Sequence, residues 1–136
     1  MALTLEQAVT LITAGQAKAR EMDRRVTIAV VDPRGDLIAM HRMDGARWTT
    51  VQIGRGKAFA SVAADESTTL LAERAARPVF QAQMIRHNGE LIFAQGGLPI
   101  RENGELVGAI GVSGGKTGPE DEEIAAAALS AWHGGP

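Results

Sequence analysis

The chain has 136 residues, of which 45% are hydrophobic, and a net charge of -2; that length fits one domain over residues 1–136, burying roughly two-thirds of its unfolded surface. The near-neutral balance excludes disorder and gives no electrostatic field for nucleic acid. Cysteine is absent, which removes disulfides, thiolate metal sites and thiol nucleophiles together and is compatible with a cytoplasmic location; no apolar run reaches the roughly eighteen residues of a membrane span.

In chain order, residues 4 to about 22 read as an amphipathic helix, with Leu5, Ala8, Val9, Ile12 and Ala19 at helical spacing and Thr4 with Gln7 as a capping box. Acid and glutamine among the first apolar residues argue against a signal peptide. Residues 26–31 (VTIAVV) and 36–42 (DLIAMHR) are strand-like, and Pro33 and Gly35 between them predict the turn of an antiparallel hairpin. The MDGAR loop at 43–47 leads into a helical stretch from about 49 to 64. Gly54 and Gly56 lie inside it, each costing about 1 kcal/mol relative to alanine. Another helix, the glycine-rich strands or a ligand must therefore approach that backbone closely.

Ser67 starts a short helix through Ala76, Pro78 interrupts it, and a further helical stretch continues to His87. Asn88-Gly89 marks a turn, residues 91–94 a short strand, and Gly96-Gly97 a break before Leu98-Pro99-Ile100. Asn103-Gly104 signals a type I′ hairpin between that segment and residues 105–112. Thr117 with Glu120 repeats the capping-box pattern ahead of a last, alanine-rich helix from about 119 to 133. Helix, hairpin, helices, hairpin, helix, without strand-helix-strand alternation, predicts an α+β fold: an antiparallel five-stranded sheet flanked by helices.

The stretch GAIGVSGGKTG at 108–118 invites reading as a phosphate-binding loop, but its spacing refuses. A Walker-type loop needs a glycine five positions before the one that precedes the lysine, and that position is Ile110. Glu120, Asp121, Glu122 and Glu123 also occupy the anion-attracting start of the following helix. Around Ser113 the letters G-V-S-G-G match a nucleophile elbow, yet the antiparallel order denies it the parallel hydrolase context.

Taken together, residues 28–32, 42–46 (RMDGA), 57–58 (KA), 96–100 (GGLPI) and 107–115 (VGAIGVSGG), with the acidic, alanine-rich last helix, resemble the GlcG/HbpS family, often labelled haem-degrading domains. The resemblance runs from residue 3 to about 131. It implies a profilin-like sheet flanked by helices, assembly as dimers or larger rings, and a pocket for a small molecule, with haem or another tetrapyrrole as one ligand. It does not imply one agreed reaction.

Haem needs an axial donor, and only His41, His87 and His133 offer imidazole. His41 is either a hydrogen-bonded sheet residue or a pocket residue; His87 reads as a helix C-cap and His133 as solvated. No H-x-H spacing indicates a metal cage, and no metal site is expected. For an enzyme acting on a small organic acid or carbonyl compound, Arg42, Arg55 and Lys57 supply cations, and Asp44 and Lys57 are the acid/base candidates. The bland alternative is a salt bridge from Asp44 to Lys57 or Arg42. Trp48 is either an aromatic wall or an interface anchor, and Ser113 a ligand contact or a turn cap. The expectation is a homo-oligomer, dimer or higher, with its small-molecule pocket framed by the Asp44 loop, the Lys57 helix and the turns at Gly96-Gly97 and Ser113-Gly114-Gly115. Its role is binding haem, catabolic chemistry as an isomerase, lyase or hydrolase, or scaffolding of another enzyme.

Overall fold

The computed structural model describes residues 2–133. In chain order the elements are α1 (Leu5–Glu21), β1 (Thr27–Val31), β2 (Leu37–Arg42), α2 (Thr49–Ala64), α3 (Thr68–Arg74), α4 (Pro78–Arg86), β3 (Gly97–Glu102), β4 (Glu105–Ser113) and α5 (Gly118–His133). Local chemistry sets most of their ends. Thr4 Oγ1 accepts from the Gln7 amide and Gln7 Oε1 from the Thr4 amide, closing the capping box that starts α1. Asn103 and Gly104 both take positive φ, 53° and 80°, as a type I′ turn requires between β3 and β4.

Among the described residues the sheet has four strands, all antiparallel, in the order β2-β1-β4-β3. The fifth strand expected at 91–94 does not form. The Ile92 amide donates to the Gly56 carbonyl of α2 at 3.2 Å, and Leu91 buries beside Ala60 and Leu71. This segment meets its backbone requirement on a helix instead of a sheet edge.

The two faces of the sheet are covered unequally. Ile28, Val30, Ile110 and Val112 point to one side, where Leu11, Ile12, Ile124 and Ala128 of α1 and α5 complete the main core. Each of the Val, Leu and Ile side chains contributes about 1.5–3 kcal/mol on burial. On the other side α2 lies against Val31, Ala109 and Gly111. The contact is nearly backbone on backbone: a methyl group at Gly111 would meet the Gly54 carbonyl of α2 and come within 2.6 Å of the Ala58 nitrogen. The close approach expected at Gly54 and Gly56 is therefore protein packing. No side chain of α4 is buried. No helix among the described residues is long and apolar enough to cross a membrane.

Gly111→Ala should therefore cost about 3 kcal/mol, the upper end of overpacking penalties. Gly104→Ala, where a methyl group meets nothing within 4 Å, should cost only the left-handed conformation, about 1 kcal/mol. Urea unfolding of the two variants at one pH checks the order.

Candidate functional site

Lys57 is a buried lysine with its ammonium engaged on two sides. It sits on the Gly/Ala stretch of α2, is 3% exposed, and sends its ammonium past the end of β4 to Asp121 Oδ2 at 3.0 Å and the Val112 carbonyl at 2.8 Å. Asp121, 6% exposed in the first turn of α5, accepts the Gly115 amide on its other oxygen at 2.8 Å. Burial pushes the Asp121 carboxyl above its ordinary value, and the Lys57 charge and the Gly115 amide pull against that rise. Gly96 makes the passage possible, since a methyl group there would lie 3.0 Å from Lys57 Nζ and 2.7 Å from the Val112 carbonyl. Gly97 packs on the backbone of Lys57 and donates to Thr68 Oγ1 at 2.7 Å.

The salt bridge offered for Asp44 does not form. Lys57 takes Asp121 instead, and Asp44 makes no ion pair with Arg42. Asp44 lines a cleft of about 480 Å³ with Gln16 and Arg20 of α1, Arg25, and His41, Arg42 and Met43 at the end of β2. His41 Nδ1 lies 2.9 Å from Gln16 Oε1. Because a carbonyl oxygen can only accept, Nδ1 is the donor in this pair, and in the neutral ring the lone pair then lies on Nε2. Arg20 and Arg42 form no ion pair among the described residues.

Ser113, Gly114 and Gly115 line a different cleft, of about 430 Å³, with Asp23, Arg24, Arg25, Gly45, Arg47, Thr49, Thr50, Ile53, Lys116 and Asp121. The two clefts share Arg25. The sequence framed Asp44, Lys57 and Ser113 around one cavity; the structure sets Asp44 and Ser113 in neighbouring clefts and buries Lys57 behind the second. Arg55 lines a third cleft, with Arg34, Asp36, Gln52 and Phe59, of about 610 Å³. Trp48 is 70% exposed and borders none of the three.

Residues that the sequence reading passed over carry much of this geometry. Gln16, Arg20 and Arg25 gave no local signal, because their meeting with His41 depends on how α1 crosses the sheet. Asp121 had one: it stands in an acidic run directly after a glycine turn. The other acids of that run are also engaged, Glu120 by Arg24 at 2.6 Å and the Lys116 amide at 2.9 Å, Glu122 by Thr69 and Gln95, and Glu123 by Lys18. The turn amides of Gly115 and Lys116 are thus occupied by the chain's own carboxylates, which explains why this loop is no phosphate cradle. His87 caps α4 with its ring edge-on to Phe59, and His133 lies in the last turn of α5 against Trp132. No group of three or more His, Asp or Glu side chains among the described residues is arranged to hold a metal ion.

The family described as haem degrading protein HbpS-like matches residues 3–130. Protein GlcG of Escherichia coli K12 is 33% identical over 119 residues, 82% of this chain and 81% of its own length. Among solved structures, a double mutant of Streptomyces reticuli HbpS superposes with a TM-score of 0.85 at 34% identity, covering 96% of this chain and 86% of that one. The PduOC–haem complex gives 0.86 at 26% identity, covering 96% and 95%.

Lys57→Met leaves the Asp121 carboxylate buried without its cation and should cost about 3–5 kcal/mol, part of which Lys57→Met/Asp121→Asn recovers; chemical denaturation of both variants reads this. Glu120 bears on acid stability. Its hydrogen bond to Arg24 and the Lys116 amide lower its pKa from 4.5 to about 2, so its stabilising contribution is complete above the unfolded value and is lost as pH falls through the folded one. The unfolding midpoint of Glu120→Gln, followed from about pH 5 to about pH 2.5, should accordingly fall less steeply than that of the parent protein.

Proposed function

The chain belongs to the HbpS-like haem-degrading family, and on that premise we propose that it is a small-molecule-binding protein taking haem or another tetrapyrrole in the cleft around His41. The observation that carries this reading is the His41–Gln16 hydrogen bond. A metal-ligating imidazole commonly donates its second N–H to an oxygen that fixes tautomer and ring orientation, and here the partner leaves Nε2 as the free donor atom. Met43 on the same cleft is a second soft donor, and Arg20, Arg25 and Arg42 suit the two carboxylates of a haem.

The donor set fits the group. Bound haem would supply a redox-active iron; His41, oriented by Gln16, would hold it, and the arginines would neutralise the propionates. The haem-bound PduOC relative supports the assignment. In this reading the protein works in the cytoplasm as one profilin-like domain over residues 1–136, assembled as a dimer or larger homo-oligomer. Acid/base catalysis by Lys57 and Asp44 finds less support, since Asp121 holds the first and the second lines another cleft.

Titration with hemin tests the proposal. The expected result is a Soret band distinct from that of free hemin, abolished in His41→Ala and reached with about tenfold weaker affinity in Gln16→Leu, as for other oriented imidazole ligands. A spectrum matching free hemin, or an unchanged band in a folded His41→Ala protein, rejects it.

A further inference from the structure

We infer that the cleft between the start of α2 and the turn at 113–115 is a second binding site, one that takes a small organic acid. Ser113 provides the first observation. Its side chain lines the cleft, the residue is 6% exposed, and its hydroxyl has no hydrogen-bond partner among the described residues. Every wholly enclosed polar side-chain atom among those residues does have a partner, so the Ser113 oxygen retains an opening, and the cleft is what it opens to. Its strand neighbour Thr27 is satisfied by Thr50 Oγ1 at 2.7 Å. A serine held in a closely packed strand end, with nothing in the protein to bond, is set for an external partner.

The electrostatics of the cleft point to an anion. α2 is 16 residues long, begins without a side-chain cap and has no acid in its first turn; the Thr50 and Val51 amides close on the Arg47 and Trp48 carbonyls, so the positive end of the helix is presented to the cleft at Thr49. α5 differs, its amino end being filled by its own carboxylates. Of the four cations lining the cleft, Arg24 is held by Glu120 and Arg25 lies 4.0 Å from Asp23. Arg47 and Lys116 form no ion pair among the described residues. Asp121 lends little repulsion, because its oxygens are engaged by Lys57 and the Gly115 amide.

A carboxylate suits these donors better than a phosphate. The turn amides that a phosphate cradle would use are taken by Asp121 and Glu120, whereas a carboxylate needs only the fork of Arg47 and the helix end. Ser113 then remains for a neighbouring hydroxyl or carbonyl oxygen of the acid, and Ile53 supplies an apolar wall. The volume, about 430 Å³, admits a molecule of several carbons.

Amide spectra of the ¹⁵N-labelled protein, recorded during titration with sodium lactate at constant ionic strength, provide the test, with inorganic phosphate as the second arm. Lactate should give saturable shifts at Thr49, Thr50, Ser113 and Gly114. Ser113→Ala and Arg47→Gln should each weaken it about tenfold, the order of one hydrogen bond, and phosphate should bind more weakly. A flat response to lactate, phosphate binding as tight as lactate, or parental affinity in either folded variant overturns the proposal. Arg47 is exposed, so its variant keeps the test decisive even where Ser113→Ala fails to fold. Hemin reads the His41 cleft, so the two proposals fail separately.

Discussion

The buried pair of Lys57 and Asp121 joins structures that the sheet would otherwise keep apart. Lys57 belongs to the helix on one face, Asp121 to a helix on the other, and the ammonium reaches its partner around the end of β4 through a gap that only Gly96 leaves open. A buried ion pair contributes little net stability against its desolvation cost. What it contributes here is position: removal of either charge strands the other in a dry environment, so α2 and α5 have one low-energy arrangement relative to each other.

Around that pair the acids of α5 form a hub. Glu120 fastens the segment after α1 through Arg24, Glu122 reaches α3 through Thr69 and the loop before β3 through Gln95, and Glu123 meets Lys18 of α1. About one turn of helix therefore touches parts of the chain from residue 18 to residue 116. The same acids close the glycine turn's amides, leaving the uncapped end of α2 as the electropositive helix terminus of that region.

Much of the fold is legible in the sequence, because its signals are local. Thr4 and Gln7 specify a helix start, Asn103-Gly104 a hairpin, and the helical stretch expected from about 49 to 64 after the MDGAR loop matches α2. The error at 91–94 has a specific cause: Ile92 finds its acceptor in a helix carbonyl that Gly56 leaves accessible, and residue type does not encode that competition. The site was less legible for a related reason. Lys57 and Asp121 are 64 positions apart, and whether Asp44 and Ser113 open into one cleft or two depends on the placement of Arg25 between them. The unusual lysine in a Gly/Ala helix and the acidic run were visible separately; only the chain's three-dimensional path matches them.

The seating of α2 on Gly111 has a mechanical corollary. A helix resting on a smooth strand has little to stop it sliding, but Gly54 is flanked by Ile53 and Arg55, and setting either in its place would drive a branched or long side chain into main-chain atoms. The contact behaves as a detent with a single notch. A ligand gripping the leading end of this helix would therefore bear on a part seated directly against the central strands.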